Sequence, residues 1–350
     1  MHQIPRREVL ALLGAAALAA GASAGRLLGG RPLGDRGLGA RALGGRGLGG
    51  TALASGRSEP APSGKSRKMT LDLSCGSIGV SASLREAFDL ARRHGFESIT
   101  LSAEEIQALP QAERDRLTSE MRSSGVAPGA AGLSVDFRGE ESRFEDGLKR
   151  LGGQAEALER FGATRVGTWI APGHGSLTYR KNFDQHASRL RRVAEILDGH
   201  KLRLGLEYVG PKTSWSRARF PFIHTLAEMR ELIAAIAMKN VGLVLDSWHW
   251  YTARDTEADL LSLASQDIVA VDLNDAPAGK GVDEQIDSSR ELPCATGVID
   301  VATFLNALNR VGYDGPVRAE PFNAELRKLP KEEAVAATAK AMKKAFAMIR

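Results

Sequence analysis

The chain has 350 residues and a mass of 37.4 kDa, with 43% apolar and 25% charged residues and a net charge of +5. This balance belongs to a globular protein with a real core, built as one large α/β barrel or as two or three average domains. Two cysteines without a CxxC pair exclude a disulfide framework and a structural zinc knot, and no apolar run reaches the roughly 18 residues of a spanning helix, so an integral membrane protein is not expected.

The charge is unevenly spread. Residues 1–68 hold eleven Arg or Lys and three acids, Glu8, Asp35 and Glu59, a net +8, whereas residues 69–350 hold 36 basic and 39 acidic residues, a net −3. The basic character therefore belongs to the leader, and the remainder lacks the electrostatic footprint of a nucleic-acid binder. Residues 1–24 read as an export signal: a charged start, an Ala/Leu stretch and the small-residue site Ala22-Ser23-Ala24. Arg6-Arg7 followed by x-Val-Leu resembles the twin-arginine signal, with Pro5 where a Ser or Thr is usual. The expected partner is the twin-arginine translocation machinery, and the expected location is periplasmic or otherwise extracytoplasmic. Residues 25–49 form a five-residue repeat, with Arg at 26, 31, 36, 41 and 46 and Leu at 28, 33, 38, 43 and 48. A period of five matches neither helix nor strand, so residues 25–68 read as a disordered Gly/Arg/Leu linker.

From Met69 onward, short β-branched runs alternate with amphipathic segments. Strands are expected at 70–74, 98–101, 126–130, 165–169, 203–208, 242–246, 268–273 and 316–320. Helices are expected between them, for example at 84–94, 144–161, 183–197, 226–237 and 301–311, with a last one over 332–349. Eight strand–helix units in about 280 residues have the size and count of an α/β (β/α)8 TIM barrel, here a single domain over 69–350. The first strand is followed by Cys75-Gly76-Ser77-Ile78-Gly79, which lacks the third glycine of a dinucleotide fingerprint.

Barrel chemistry sits at the C-terminal strand ends. Strands five to eight end in Glu207, Asp246, Asp272 and Glu320. One strand-end Asp is commonly just the cap of the next helix. Four consecutive carboxylates repel one another unless a cation or shared protons reconcile them, and a divalent metal with oxygen ligands is the natural solution.

These stretches resemble the xylose isomerase-like barrels of the sugar phosphate isomerase/epimerase family. The resemblance rests on Gly205-Leu206-Glu207, Asp246-Ser247-Trp248-His249-Trp250, Val271-Asp272-Leu273-Asn274-Asp275 and Gly312-Tyr313-Asp314-Gly315-Pro316 leading to Glu320-Pro321-Phe322. It implies a metal centre of Glu207, Asp246, Asp272 and Glu320, with Asp272 where the family carries His. An all-carboxylate set favours Mn or Mg, with Co as a further candidate, over zinc. It further implies Glu207 and Glu320 as the proton-transferring pair, His249 as a contact to substrate oxygen, and Arg290 as a substrate holder. His174, Lys212 and Trp248 are additional substrate-binding candidates, and Trp169, Trp215 and Trp250 also fall near strand ends. The implied activity is isomerisation or epimerisation of a keto or aldo sugar or an inosose through an enediolate. The alternatives are a dehydratase on a keto-polyol or oxidised glycoside and a non-catalytic exported sugar-binding barrel. A DNA-repair endonuclease of the same superfamily fits poorly with the acidic domain. Family barrels often pair, so a homo-oligomer is an open expectation. Cys75 and Cys294 are expected as reduced thiols.

Overall fold

The computed structural model describes residues 67–350. The signal expected at 1–24 and nearly all of the linker expected at 25–68 lie outside the described residues.

Eight parallel strands close into a barrel: β1 Thr70–Leu73, β2 Ser98–Leu101, β3 Ala127–Gly132, β4 Arg165–Trp169, β5 Arg203–Glu207, β6 Val241–Asp246, β7 Ile268–Leu273 and β8 Pro316–Ala319. Each strand pairs with its neighbours in sequence, and β8 closes on β1 through Thr70 beside Pro316 and Asp72 beside Arg318. Around them run α1 Leu84–His94, α2 Ala103–Ala108, α3 Gln111–Ser124, α4 Glu141–Phe161, α5 Tyr179–Asp198, α6 Lys212–Trp215, α7 Leu226–Ile236, α8 Ser247–Thr252, α9 Glu257–Leu261, α10 Val301–Arg310 and α11 Lys331–Phe346. Among the described residues no helix is long and apolar enough to cross a membrane.

Local sequence explains these elements. The runs Val-Gly-Leu-Val-Leu-Asp of β6 and Ile-Val-Ala-Val-Asp-Leu of β7 are buried at every position, as parallel strands covered on both faces must be. A capping box starts α1 (Ser83 with Glu86) and another starts α7 (Thr225 with Glu228), satisfying first-turn N–H groups that would otherwise be orphaned. Gly95 closes α1 in the left-handed region at φ 74°, where a glycine carries no steric penalty.

The strand expectations hold apart from end residues, except that β3 runs two residues further than expected. Its sequence, Ala-Pro-Gly-Ala-Ala-Gly, carries little intrinsic strand preference and Pro128 cannot donate to the ladder. Barrel closure overrides this, with a register shift between Ile99 and Leu101 on β2. The helices α2 and α3, and a two-residue antiparallel pair of 173–174 with 220–221 beyond the rim, were not expected.

The main core lies between barrel and helices, where Phe88, Phe144, Phe161, Phe304 and Tyr313 are fully buried. Inside the barrel the filling is small: Ala130, Val244 and Ala270. A Cβ on Gly205 would stand 2.8 Å from Val244 and 2.9 Å from Val269, so only glycine fits that turn of the barrel wall. Above this apolar plug the interior turns polar.

Candidate cation and proton-transfer site

Four adjacent strands deliver the carboxylates. Glu207 ends β5, Asp246 ends β6, Asp272 is the penultimate residue of β7, and Glu320 follows β8. Register sets Asp246 beside Asp272, Asp272 beside Arg318, and Arg318 beside Asp72. Side chains alternate faces along a strand, so Arg318 and Glu320 share the face turned to the barrel mouth. Oxygens of Glu207, Asp272 and Glu320 come within 4.8 Å of one another, and so do ligand atoms of Glu207, Asp246 and His249. Glu207 Oε1 is buried with no hydrogen-bond partner.

Asp246 serves two structures at once. Its Oδ1 accepts from the Trp248 N–H at 2.8 Å, capping α8, and from Asn274 Nδ2 at 2.9 Å. Its Oδ2 accepts from Arg290 Nη1 at 2.6 Å. Asn274 in turn accepts from the Glu320 N–H at 2.9 Å, tying the ends of β6, β7 and β8 together. The next acid, Asp275, accepts from the N–H groups of Ala276, Thr296, Gly297 and Ile299 and organises the loop after β7.

Two guanidiniums sit among the acids. Arg290, 2% exposed, reaches Asp246, Glu320 Oε2 at 3.2 Å and Asp287 Oδ1 at 2.8 Å. Arg318 forks onto Asp272, Nε to Oδ1 and Nη2 to Oδ2. Burial, together with the neighbouring acids Asp272, Glu320 and Asp246, pushes the Glu207 carboxyl far above its ordinary range. Burial and Asp272 push Glu320 up to about 8. Burial raises Asp246 to about 6 against the pull of Arg290. Burial and Arg290 lower His249 to about 3, so its ring is neutral. The Gly210 N–H donates to His249 Nδ1 at 3.2 Å. Nε2 stands 3.4 Å from Arg290 Nη2, 3.8 Å from Asp246 Oδ2 and 3.9 Å from Glu207 Oε1. His249 therefore turns Nε2 into the pocket between a guanidinium and two carboxylates.

The fold brings together Glu207, Asp246, Asp272, Glu320, His249 and Arg290, all singled out from sequence. Three other candidates stand apart from that cluster. His174 uses Nδ1 to accept from the N–H groups of Ser176 and Leu177 at 3.0 and 2.8 Å, which holds its own turn. Lys212 pairs with Asp283 at 3.0 Å at the surface. Trp248 corrects the expectation of a sugar-stacking face: its ring is fully buried, with the Arg290 guanidinium 5.4 Å from its centroid. The aromatic ring open to solvent at the rim is Trp169, 38% exposed, with Arg138 stacked 4.2 Å away and Glu207 its register neighbour on β5. Arg318, Asp287 and the bridging role of Asn274 were missed. The period-two spacing of Arg318 and Glu320 was the available signal for the first. Cys75 and Cys294 are free thiols, as expected.

The donor set fits a hard divalent cation: oxygen-rich, excess in negative charge, and with one buried carboxylate oxygen, Glu207 Oε1, left unpartnered.

Comparison with known proteins identifies relatives of this fold. The inosose isomerase of Bacillus velezensis is 24% identical over 268 residues, 73% of this chain and 89% of that protein. A 3-dehydroshikimate dehydratase of Pseudomonas aeruginosa is 30% identical over 146 residues, 41% of this chain and 22% of that protein. Among solved structures, the IOLI protein with a bound zinc atom superposes with a TM-score of 0.67 at 20% identity, covering 81% of this chain and 99% of that one. The description of the xylose isomerase-like TIM barrel fits residues 88–345, and with the closed eight-stranded barrel this establishes that the chain belongs to the xylose isomerase-like TIM barrel family.

Proposed function

We propose that this chain is a divalent-cation-dependent isomerase or epimerase that moves a proton beside the carbonyl of a keto or aldo sugar or an inosose. The observation that carries the reading is the pair Glu207, buried, and Glu320, partly buried, from different strands, each held well above its ordinary pKa in one pocket. Groups tuned in this way can take and return protons near neutral pH.

Glu207, Asp246, Asp272 and Glu320 are the residues that would hold the cation, with Mn or Mg preferred by the oxygen donors. A bound cation supplies Lewis acidity that polarises the carbonyl and its neighbouring hydroxyl. Glu207 takes the proton from the carbon beside the carbonyl, and the electron pair moves onto the carbonyl oxygen, giving an enediolate. Glu320 returns a proton to the neighbouring carbon or to the opposite face. His249 Nε2 and Arg290 Nη2, 3.4 Å apart, together face the substrate oxygens. Arg290 holds Asp246 and Glu320 in place and carries a buried positive charge that favours the enediolate.

The test is proton exchange in deuterated water. With Mn added, keto-sugars and inososes should lose the NMR signal of the carbon-bound proton beside the carbonyl, and Glu207→Gln should abolish that loss in a folded protein, while Glu320→Gln should abolish net conversion to product. Exchange unaffected by Glu207→Gln would sink this mechanism. The partial likeness to a dehydratase supports a second reading, in which the same enediolate expels a β-hydroxyl. Release of an enone from the substrate would identify it. Binding of a sugar without exchange would point to a non-catalytic barrel.

The leader supports export through the twin-arginine route, which carries folded, metal-loaded proteins. Arg6→Lys together with Arg7→Lys should trap the protein in the cytoplasm, and unimpaired export would refute this route.

A further inference from the structure

The charges of the pocket do not match a simple four-carboxylate cage. Four clustered acids, three of them buried, around one divalent cation leave two negative charges uncompensated, which a largely buried site tolerates poorly. Two guanidiniums correct the sum. Arg290 bonds Asp246 at 2.6 Å. Arg318 engages both oxygens of Asp272 in a fork, the geometry in which a guanidinium binds a carboxylate most tightly. Asp287 also sits on Arg290, but 36% of its side chain is exposed and water screens it. Asp72, on the other side of Arg318, is buried, accepts from Thr100 Oγ1 at 2.8 Å and leaves Oδ1 unpartnered. A Cβ at position 129 would run into that oxygen, so Gly129 makes the room it occupies. Burial raises the Asp72 carboxyl above its ordinary range, favouring its neutral form beneath the pair. The carboxylates left without a guanidinium of their own are Glu207, whose Oε1 has no partner, and Glu320, whose Oε1 stands 3.7 Å from Arg318 and whose Oε2 shares Arg290 with Asp246.

We propose that Arg318 is a built-in counter-charge of the pocket: it neutralises Asp272 as Arg290 neutralises Asp246, so that Glu207 and Glu320 alone balance one divalent cation. Asp272 is then a positioning residue whose charge belongs to Arg318, and its oxygens do not coordinate directly. The proposal rests on the cation reading above and narrows it. It also accounts for an acid at a strand end where the family resemblance expects a neutral ligand: a matched ion pair is neutral as a unit.

The experiment is a double-mutant cycle on the full chain with two readouts, Mn(II) affinity by calorimetry and the urea midpoint in EDTA. Removing one partner strands a buried charge, so Asp272→Asn or Arg318→Met alone should lower the urea midpoint by about 1 M or more. The double variant should recover most of that loss, because neither charge is left unpaired. It should also bind Mn(II) within about threefold of the parent, a change of less than about 1 kcal/mol. Additive losses in the urea midpoint would overturn the pair. A folded double variant that binds Mn(II) more than about thirtyfold more weakly would overturn the outer role of Asp272 and make it a ligand. A parent chain that takes up no Mn(II) would instead sink the cation reading itself, and the counter-charge proposal with it.

Discussion

The two halves of the barrel mouth differ in kind. The ends of β5 to β8 carry Glu207, Asp246, Asp272 and Glu320 with two guanidiniums packed among them. The ends of β1 to β4 carry a single buried acid, Asp72, an exposed Trp169 with Arg138 stacked on it, and Ser102, which caps α2; Ser83 caps α1 further along the chain. All eight strands run parallel in one closed barrel, so the division lies in the side chains they carry. One half is built to manage charge, and the other offers a surface on which a ring or chain can lie. The same backbone frame thus separates chemistry from shape.

This contrast can be broken or sharpened by experiment. The largest effect belongs to the acid half: Glu207→Gln should lower the exchange rate by about 10²–10⁴-fold, the usual range for removing a general base, as followed by proton NMR. Next comes Asp246→Asn. It strips a buried partner from Arg290 and weakens the α8 cap, and should cost about 3–5 kcal/mol of unfolding free energy in urea melts. The third effect is on pH. Burial and Asp272 raise the Glu320 carboxyl from 4.5 to about 8, so its folded form holds the proton more tightly than its unfolded form. Its contribution to stability is complete below the unfolded value and is lost as pH climbs through about 8. The cation-free chain should therefore weaken from about pH 4.5 to about pH 8, and saturating Mn should flatten that slope. A cation-free stability that rises over this window would contradict the raised carboxyl. The smallest effect lies in the other half: Trp169→Ala should raise KM by about tenfold at unchanged kcat, since it removes contact area equally from bound substrate and transition state. A fall in kcat at Trp169 would erase the proposed division between the halves.

Much of this was legible in residue order. Strands such as 268–273 and 165–169 are strongly patterned, and their ends followed directly. The four strand-end acids were legible because an apolar run that stops on a carboxylate sets that carboxylate at the barrel mouth, where the buried wall ends. Arg318 was not legible in this way. A charged residue inside a strand reads as surface-facing; its period-two spacing from Glu320 was the one hint otherwise, and its partner on β7 shows that it faces inward. Trp248 misled for the converse reason. Its position beside Asp246 suggested the pocket, but α8 begins at Ser247 and its turn carries the ring into the core. β3 was shifted because Ala, Pro and Gly give no periodic signal, and its limits come from neighbours rather than from its own preference. Asp246 met both of its readings, since it caps a helix and faces the pocket.

The loop after β7 brings Asp287 and Arg290 to the pocket, and its outer turn is held to the rest of the mouth by Asp283. That carboxylate meets Lys212 at 3.0 Å and Arg254 at 3.1 Å, and nearby Thr213 donates to the Gln285 carbonyl at 2.6 Å. Surface ion pairs of this kind are individually weak and are screened beyond a Debye length of about 8–10 Å in ordinary salt. The buried pairs below are shielded from that screening. Ionic strength should therefore act on the doorway and leave the hearth alone: on the proposed mechanism, salt would change substrate entry and product release more than the proton-transfer step.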